Sequence, residues 1–269
     1  MRLNPAIFAT LCILLFILTI WFGPILRPYD LLNSDIALRL MPPSWEYPFG
    51  MDSSGNDILG AILVGGRATL TIAFVTVVIC TLFGTMVGIV ATTSHSLIDQ
   101  ILMRLVDLFM TFPGILPAMV IASILEPSIS SLIISMSITG WTATARLVRA
   151  QAQNTLQKEY IQAANALGCS KWHLILKHIL PSCLTPLIVH ATFSLSSVIL
   201  TESSLTFLGF GPQNQYPSWG ALLNEGRSVL IEAPHISLFP GLCILTLVLC
   251  LNFVGDGLRD YFDPKQKSH

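Results

Sequence analysis

Residues 151–183, QAQNTLQKEYIQAANALGCSKWHLILKHILPSC, form a polar island with long apolar runs on either side. Apolar runs of about 20 residues match the ~30 Å of hydrocarbon that a membrane helix has to cross. A polar, helix-patterned segment between two such runs has to lie in water at the membrane face. It reads as a segment built to be gripped by another protein, which makes the chain one part of a larger assembly.

Composition points the same way. Of 269 residues, 53% are hydrophobic and 11% are charged, where soluble domains carry roughly 25% charged residues. Mean hydropathy is +0.70. So few charges cannot cover a soluble globule of this size, and the expected class is an all-α polytopic membrane protein. The net charge of −1 offers no basic surface for nucleic acid. The six cysteines, Cys12, Cys80, Cys169, Cys183, Cys243 and Cys250, form no CxxC pair. Four lie in apolar runs and two in the island, so they read as small hydrophobes and not as a disulfide framework. Arg2 precedes the apolar run 6–22, but that run ends in Trp21, Phe22, Gly23 and Pro24 with no small-x-small cleavage site, so it reads as an uncleaved first span.

Six spans are expected, near 6–26, 68–92, 102–125, 129–150, 184–208 and 236–256. Pro113 and Pro117 fall inside the third, where membrane helices tolerate breaks if neighbours satisfy the freed backbone groups. With residue 1 in the cytoplasm, ten Lys and Arg residues lie on or beside cytoplasmic segments, and Arg27, Arg39, Arg67 and Arg227 lie outside. That bias places both termini and the island in the cytoplasm. The resulting organisation is a first span over 1–26, an external loop with an interfacial helix over 27–67, a transmembrane core over 68–256 and a cytoplasmic tail over 257–269. In the stretch FGMDSSGNDILGAILVGGRATL (49–70), Asp52 or Ser53 is expected to cap a helix. Between Trp219 and Ile231 a short helix is expected to lie at the interface, anchored by Trp219.

Within the island, Leu156, Glu159, Tyr160, Ala163, Ala164 and Leu167 recur at helical spacing, and Gln162, Ala163 and Ala164 supply small side chains beside Tyr160. Gly168 is expected to stop this helix in the left-handed C-terminal position. Ser170 is expected to cap a second helix, patterned by Trp172, Ile175, Leu176 and Ile179, which Pro181 would end. The result is helix, glycine elbow, helix. An ordinary solvated loop between spans fits the periodicity equally well.

The order Glu159-Tyr160-Ile161-Gln162-Ala163-Ala164, Gly168, Ile179-Leu180-Pro181 resembles the EAA loop of permease subunits in binding-protein-dependent ABC importers. Four further segments resemble the narrower dipeptide, oligopeptide and nickel permease group, in its second permease type with one span ahead of a shared core. They are Gly50-Met51-Asp52-Ser53-Ser54-Gly55-Asn56-Asp57; Arg104-Leu105-Val106-Asp107 with Pro113; Leu205-Thr206-Phe207-Leu208-Gly209-Phe210-Gly211 with Ser218-Trp219-Gly220; and Gly255-Asp256-Gly257-Leu258-Arg259-Asp260 with Asp263-Pro264. The resemblance covers about residues 45–264. Two residues depart from the pattern: Gln162 stands where the family usually has Glu, and Asn56 where it has a basic residue. The first removes a charge from any ion pair at that point and leaves the small surface of Ala163 and Ala164 intact.

The resemblance implies a type I importer core that forms half of a pore for di- or oligopeptides, with nickel or a metal chelate as the alternative cargo. It implies a homologous second permease, two cytoplasmic ATPases that bind ATP and Mg²⁺, an external solute-binding protein and a bacterial inner membrane. Glu159, Tyr160, Gln162, Ala163, Ala164, Leu167 and Gly168 would couple to an ATPase by shape and stiffness. The chain lacks GxxxxGK[ST], so no ATP hydrolysis and no cofactor of its own are expected.

Other residues carry two readings each. Arg104 and Asp107, three apart, read as a mutually satisfied structural pair or as an intramembrane functional pair. Glu202 and Ser203 read as pore lining or as a wet helix end, and His190 as a helix-to-helix hydrogen bond or a pore group. His173 and His178 are five apart, which in an α-helix does not place both on one face, and no metal set is complete. Asp256, Arg259, Asp260 and Asp263 read as a solvated tail or a brace against the ATPase. An ion-driven secondary transporter using Glu202, Arg104 and Asp107 is the alternative from another class; a membrane-embedded enzyme lacks Ser-His-Asp and HExxH patterns.

Overall fold

A computed structural model describes residues 5–27, 35–212 and 217–262. The helices are α1 (Pro5–Leu26), α2 (Ile58–Thr93), α3 (Ser96–Thr111), α4 (Leu116–Ile124), α5 (Ile129–Leu156), α6 (Glu159–Ala166), α7 (Lys171–Leu174), α8 (Leu180–Phe207), α9 (Trp219–Arg227) and α10 (His235–Phe262). Among the described residues there is no strand, only an isolated bridge between Met51 and Asp57.

By length and composition, α1, α2, the continuous stretch Lys171–Phe207 and α10 can each cross a membrane. The third expected span is broken: α3 and α4 meet at an 88° bend. Proline chemistry sets the break. Pro113 forces Phe112 into an extended conformation (φ −76°, ψ 138°), which stops α3, and Pro117 sits in the first turn of α4, where its missing N–H costs nothing. Helix α5 has 28 residues, about 42 Å at 1.5 Å per residue, and is long enough to cross but less apolar. Several of its hydroxyls bond back to their own helix, as Ser135 does to the Leu132 carbonyl and Thr142 to that of Thr139 (both 2.9 Å).

Two other expectations change. The helix anticipated in the external loop is not separate: α2 runs unbroken from Ile58 to Thr93, capped by Asp57, whose carboxylate accepts from the Leu59 amide. Asp52 folds the preceding loop instead, accepting from the amides of Ser54 and Asn56 and from the Asn56 side chain (2.8, 2.8 and 3.0 Å). Helix α9 is shorter than expected, and Trp219 is a core residue and not an interfacial anchor. Its ring is 0% exposed, its indole N–H donates to the Ile62 carbonyl at 2.9 Å, and Phe16 of α1 packs edge-on against it. Burying an indole with its one donor satisfied is favourable, which the sequence pattern does not reveal.

Helices α2 and α5 form the tightest pair. Gly84 and Gly88 of α2 lie so close to α5 that a Cβ on either would come within 2.7 Å of the Trp141 or Ala145 carbonyl. Small residues one turn apart let membrane helices approach on packing alone. Around Trp219, a core of Ile20, Ile58, Ile62, Ile199, Leu222 and Ile236 joins α1, α2, α8, α9 and α10. Asp256, Arg259 and Asp260 are exposed on the last turns of α10, and Asp263 lies outside the described residues.

Candidate coupling elbow and translocation groove

The island folds as a capped elbow. Helix α6 ends in a Schellman turn: Gly168 has φ +85°, its amide donates to the Asn165 carbonyl at 3.0 Å, and the Cys169 amide donates to Ala164 at 3.1 Å. The Ser170 hydroxyl accepts from the His173 amide and starts α7. Pro181 does not end this helix. A π turn over Ile175–Ile179, in which the Leu180 amide reaches back to Ile175, absorbs the proline, and the chain passes without interruption into α8. The same turn corrects the reading of the histidines. Bonds from i to i+5 bring residues five apart onto one side, so the rings of His173 and His178 lie 6.1 Å apart, with Tyr160 5.9 Å from His178.

The elbow is fixed to the bundle at its base. Ile161, 2% exposed, is its inward side chain, and Leu174, Ile175 and Ile179 are buried below it. Ile175, Ile179 and Cys183 pack on Val148 and Ala152 of α5. Thr155 of α5 and Ser182 of α8 share a hydroxyl hydrogen bond of 2.8 Å, and Gln151 donates to the Ser182 carbonyl. A hollow of about 200 Å³ separates α6 from the end of α2 at Thr92 and Thr93.

The residues expected to couple face outward. Glu159, Tyr160, Gln162, Ala163, Leu167 and Gly168 are exposed and Ala164 is half-buried. Leu167 is 87% exposed and Trp172 73%, with Leu176 also exposed, so an apolar patch crowns the elbow. The Gln162 side chain donates to the Gln157 carbonyl at 3.2 Å, steadying the elbow from within. Ile161 was the residue that periodicity missed. It falls between the two faces read from the sequence, and its signal was only a β-branched residue among small and polar neighbours.

Arg104 and Asp107 do not pair. Asp107 accepts from Arg146 of α5 at 2.5 Å, and Arg104 is exposed with no ion pair among the described residues. Arg149 makes two hydrogen bonds of 2.6 Å to Asp99. Both pairs tie α3 to α5, a contact between helices that spacing within α3 could not show.

A groove of about 600 Å³ runs between α2, the α3–α4 bend, α5 and α8. His190 and Thr201 line it; Glu202 and Ser203 do not. Glu202 is 0% exposed, and its Oε2 accepts from the Ser203 hydroxyl at 3.3 Å. His190 bonds along its own helix, 3.4 Å from the Ser194 hydroxyl, and not to a neighbour. In the loop before α2, the Ser53 amide and hydroxyl both donate to Glu225 of α9. Burial pushes the Glu225 carboxyl above the usual carboxylate range, the Ser53 hydroxyl opposes the shift, and the nearby Asp52 charge adds to it.

Comparison with known proteins matches this geometry. Residues 82–268 fit the model of the family described as binding-protein-dependent transport system inner membrane component. A glutathione transport system permease protein, GsiD, of Pectobacterium atrosepticum is 38% identical over 269 residues, all of this chain and 89% of that protein. A dipeptide transport system permease protein, DppC, of Alkalihalophilus pseudofirmus is 39% identical over 98% of this chain and 86% of its own length. Among solved structures, an inward-facing MetNI methionine ABC transporter superposes with a TM-score of 0.63 at 17% identity, covering 76% of this chain and 97% of that one. An amino acid ABC transporter with histidines gives 0.60 at 13% identity, covering 76% and 94%. The chain therefore belongs to the binding-protein-dependent transport system inner membrane components, as a permease of the ABC importer class with the type I fold.

Proposed function

We propose that this permease forms half of a peptide-conducting pore in a bacterial inner membrane and takes its driving motion from a cytoplasmic ATPase through the elbow at residues 159–176. The observation that carries the coupling role is the contrast within the elbow. Its inward side buries Ile161 and is tied to α5 by Ile175, Ile179 and the Thr155–Ser182 hydrogen bond, while its outward side presents Ala163, Leu167, Trp172 and Leu176 with no partner among the described residues. A stiff base under an unpartnered apolar crown transmits displacement, because packed elements move as rigid bodies between discrete arrangements.

The full assembly in this reading contains a homologous second permease, two ATPases that hold the ATP and Mg²⁺, and an external binding protein that selects the solute. Both termini face the cytoplasm. Peptides are the favoured cargo because curated relatives over nearly the whole chain are dipeptide, glutathione and peptide permeases. The test is ATP hydrolysis by the purified complex in lipid, with and without loaded binding protein. Ala163→Trp places a large ring on an exposed position and leaves the buried base untouched. Stimulated hydrolysis falls to the basal level in this variant while the permease stays folded. Full stimulation with the ring in place refutes the coupling role.

A further inference from the structure

The groove beside α8 is lined mostly by apolar side chains, Phe109, Phe112, Met136 and Phe193 among them, and its α8 wall carries a polar stripe. His190, Ser194, Ser197 and Thr201 all line it. They are separated by four, three and four residues, so they form one face of α8 along about 16 Å of axis. Thr81 of α2 and Thr139 of α5 line the same hollow. None of its lining residues is Asp, Glu, Lys or Arg. Glu202, next to Thr201 in the chain, is turned by about 100° and buried on another side of α8. Arg146 and Arg149 are held by Asp107 and Asp99. These two charges are thus paired away from the lining, and the exposed Arg104 of α3 is not among the lining residues.

We propose that the His190, Ser194, Ser197 and Thr201 face of α8 gives this chain's half of the solute path a wall without fixed charge, suited to polar solutes whose charges balance internally, such as zwitterionic peptides, and unsuited to a bare divalent cation. The inference rests on the half-pore reading and deepens it. A hydroxyl both donates and accepts, so a ladder of hydroxyls serves the alternating N–H and C=O groups of a peptide in either direction. Each contact is weak enough to release, which conduction requires. A divalent cation gives up hydration only to carboxylates, carbonyls or several imidazoles; one imidazole and a row of neutral hydroxyls do not replace its water. Lipid exposure alone does not account for this face, because Ser197 is exposed in the hollow while Ile188, on the far side of α8, is apolar and exposed.

The test uses the full permease assembled with its partner subunits in lipid, with Cys80 replaced by alanine because it lines the same hollow. Single cysteines at 190, 194, 197 and 201, and at Ile188 as control, react with cationic and anionic membrane-impermeant thiosulfonates. Rates are corrected for the other native cysteines and for each reagent's rate with free cysteine. The four groove positions are expected to label at least tenfold faster than Ile188→Cys, with cationic and anionic rates within about threefold of each other, as a path without fixed charge requires. Adding Ser197→Asp to Ser194→Cys is expected to shift the ratio toward the cation by about tenfold, which shows that the assay senses charge. Labelling no faster than at Ile188, or a ratio already biased by tenfold with Ser197 in place, overturns the proposal. The labelling needs neither ATP nor solute, so it stands or falls separately from the coupling test at Ala163.

Discussion

Gly168 isolates the backbone energy of the elbow. Its φ is +85°, and a Cβ built there meets nothing within 4 Å. No side-chain clash contributes, so Gly168→Ala costs only the left-handed conformation, about 1 kcal/mol. Asparagine visits that region more readily and costs roughly half as much, whereas a β-branched valine costs about 2 kcal/mol. These energies act on local opening, in which 1 kcal/mol is about a fivefold change. Hydrogen exchange of the full chain in lipid, read as protection of the segment 159–175, measures them directly. Protection is expected to fall about fivefold in Gly168→Ala, two- to threefold in Gly168→Asn and about thirtyfold in Gly168→Val, with α10 unchanged. Equal loss in the alanine and asparagine variants, or no loss in any, refutes the assignment of the elbow to a left-handed Schellman glycine.

Three other predictions follow from the packing and the charges. Trp219→Ala removes a fully buried ring and is expected to lower stability by about 3–5 kcal/mol, and Trp219→Phe by ~1 kcal/mol through the lost hydrogen bond to Ile62; unfolding in detergent separates the two. Double-mutant cycles are expected to give about 1–2 kcal/mol for the two-pronged Asp99–Arg149 pair and under ~0.5 kcal/mol for the more exposed Asp107–Arg146 pair. Glu225 has a folded-state pKa raised above its unfolded value, so its contribution is greatest below the ordinary glutamate range and is lost as pH rises through the folded pKa. Glu225→Gln stays neutral and is expected to gain stability over wild type from about pH 4 upward, seen as a rising difference in melting temperature; a difference that falls with pH contradicts the assigned burial.

The helical bundle was legible because apolar runs of membrane length leave few alternatives, and the elbow because glycine and serine mark helix ends by local chemistry. What escaped depended on contacts between distant segments. Trp219 looked like an interfacial anchor because its partners, Ile62 and Phe16, are more than 150 residues away. Asp107 was assigned to Arg104 by spacing within one helix, but Arg146 on the facing helix holds it. Pro181 looked like a stop because periodicity assumes 3.6 residues per turn, and the π turn before it supplies a different one. Glu202 carried no mark of which way it faced, since one residue of rotation separates the groove from the core. Local rules succeeded where the relevant neighbour lay within about four residues, and failed where packing chose between faces.

Leu167, 87% exposed at the apex of the elbow, is the position from which the coupling role is tested most directly. A cysteine there, in the complete transporter, is treated with a short bifunctional cross-linker with and without ATP. The predicted result is a cross-link to the ATPase subunit whose yield changes when ATP binds. A cross-link to the external binding protein, or none to any ATPase, contradicts the account.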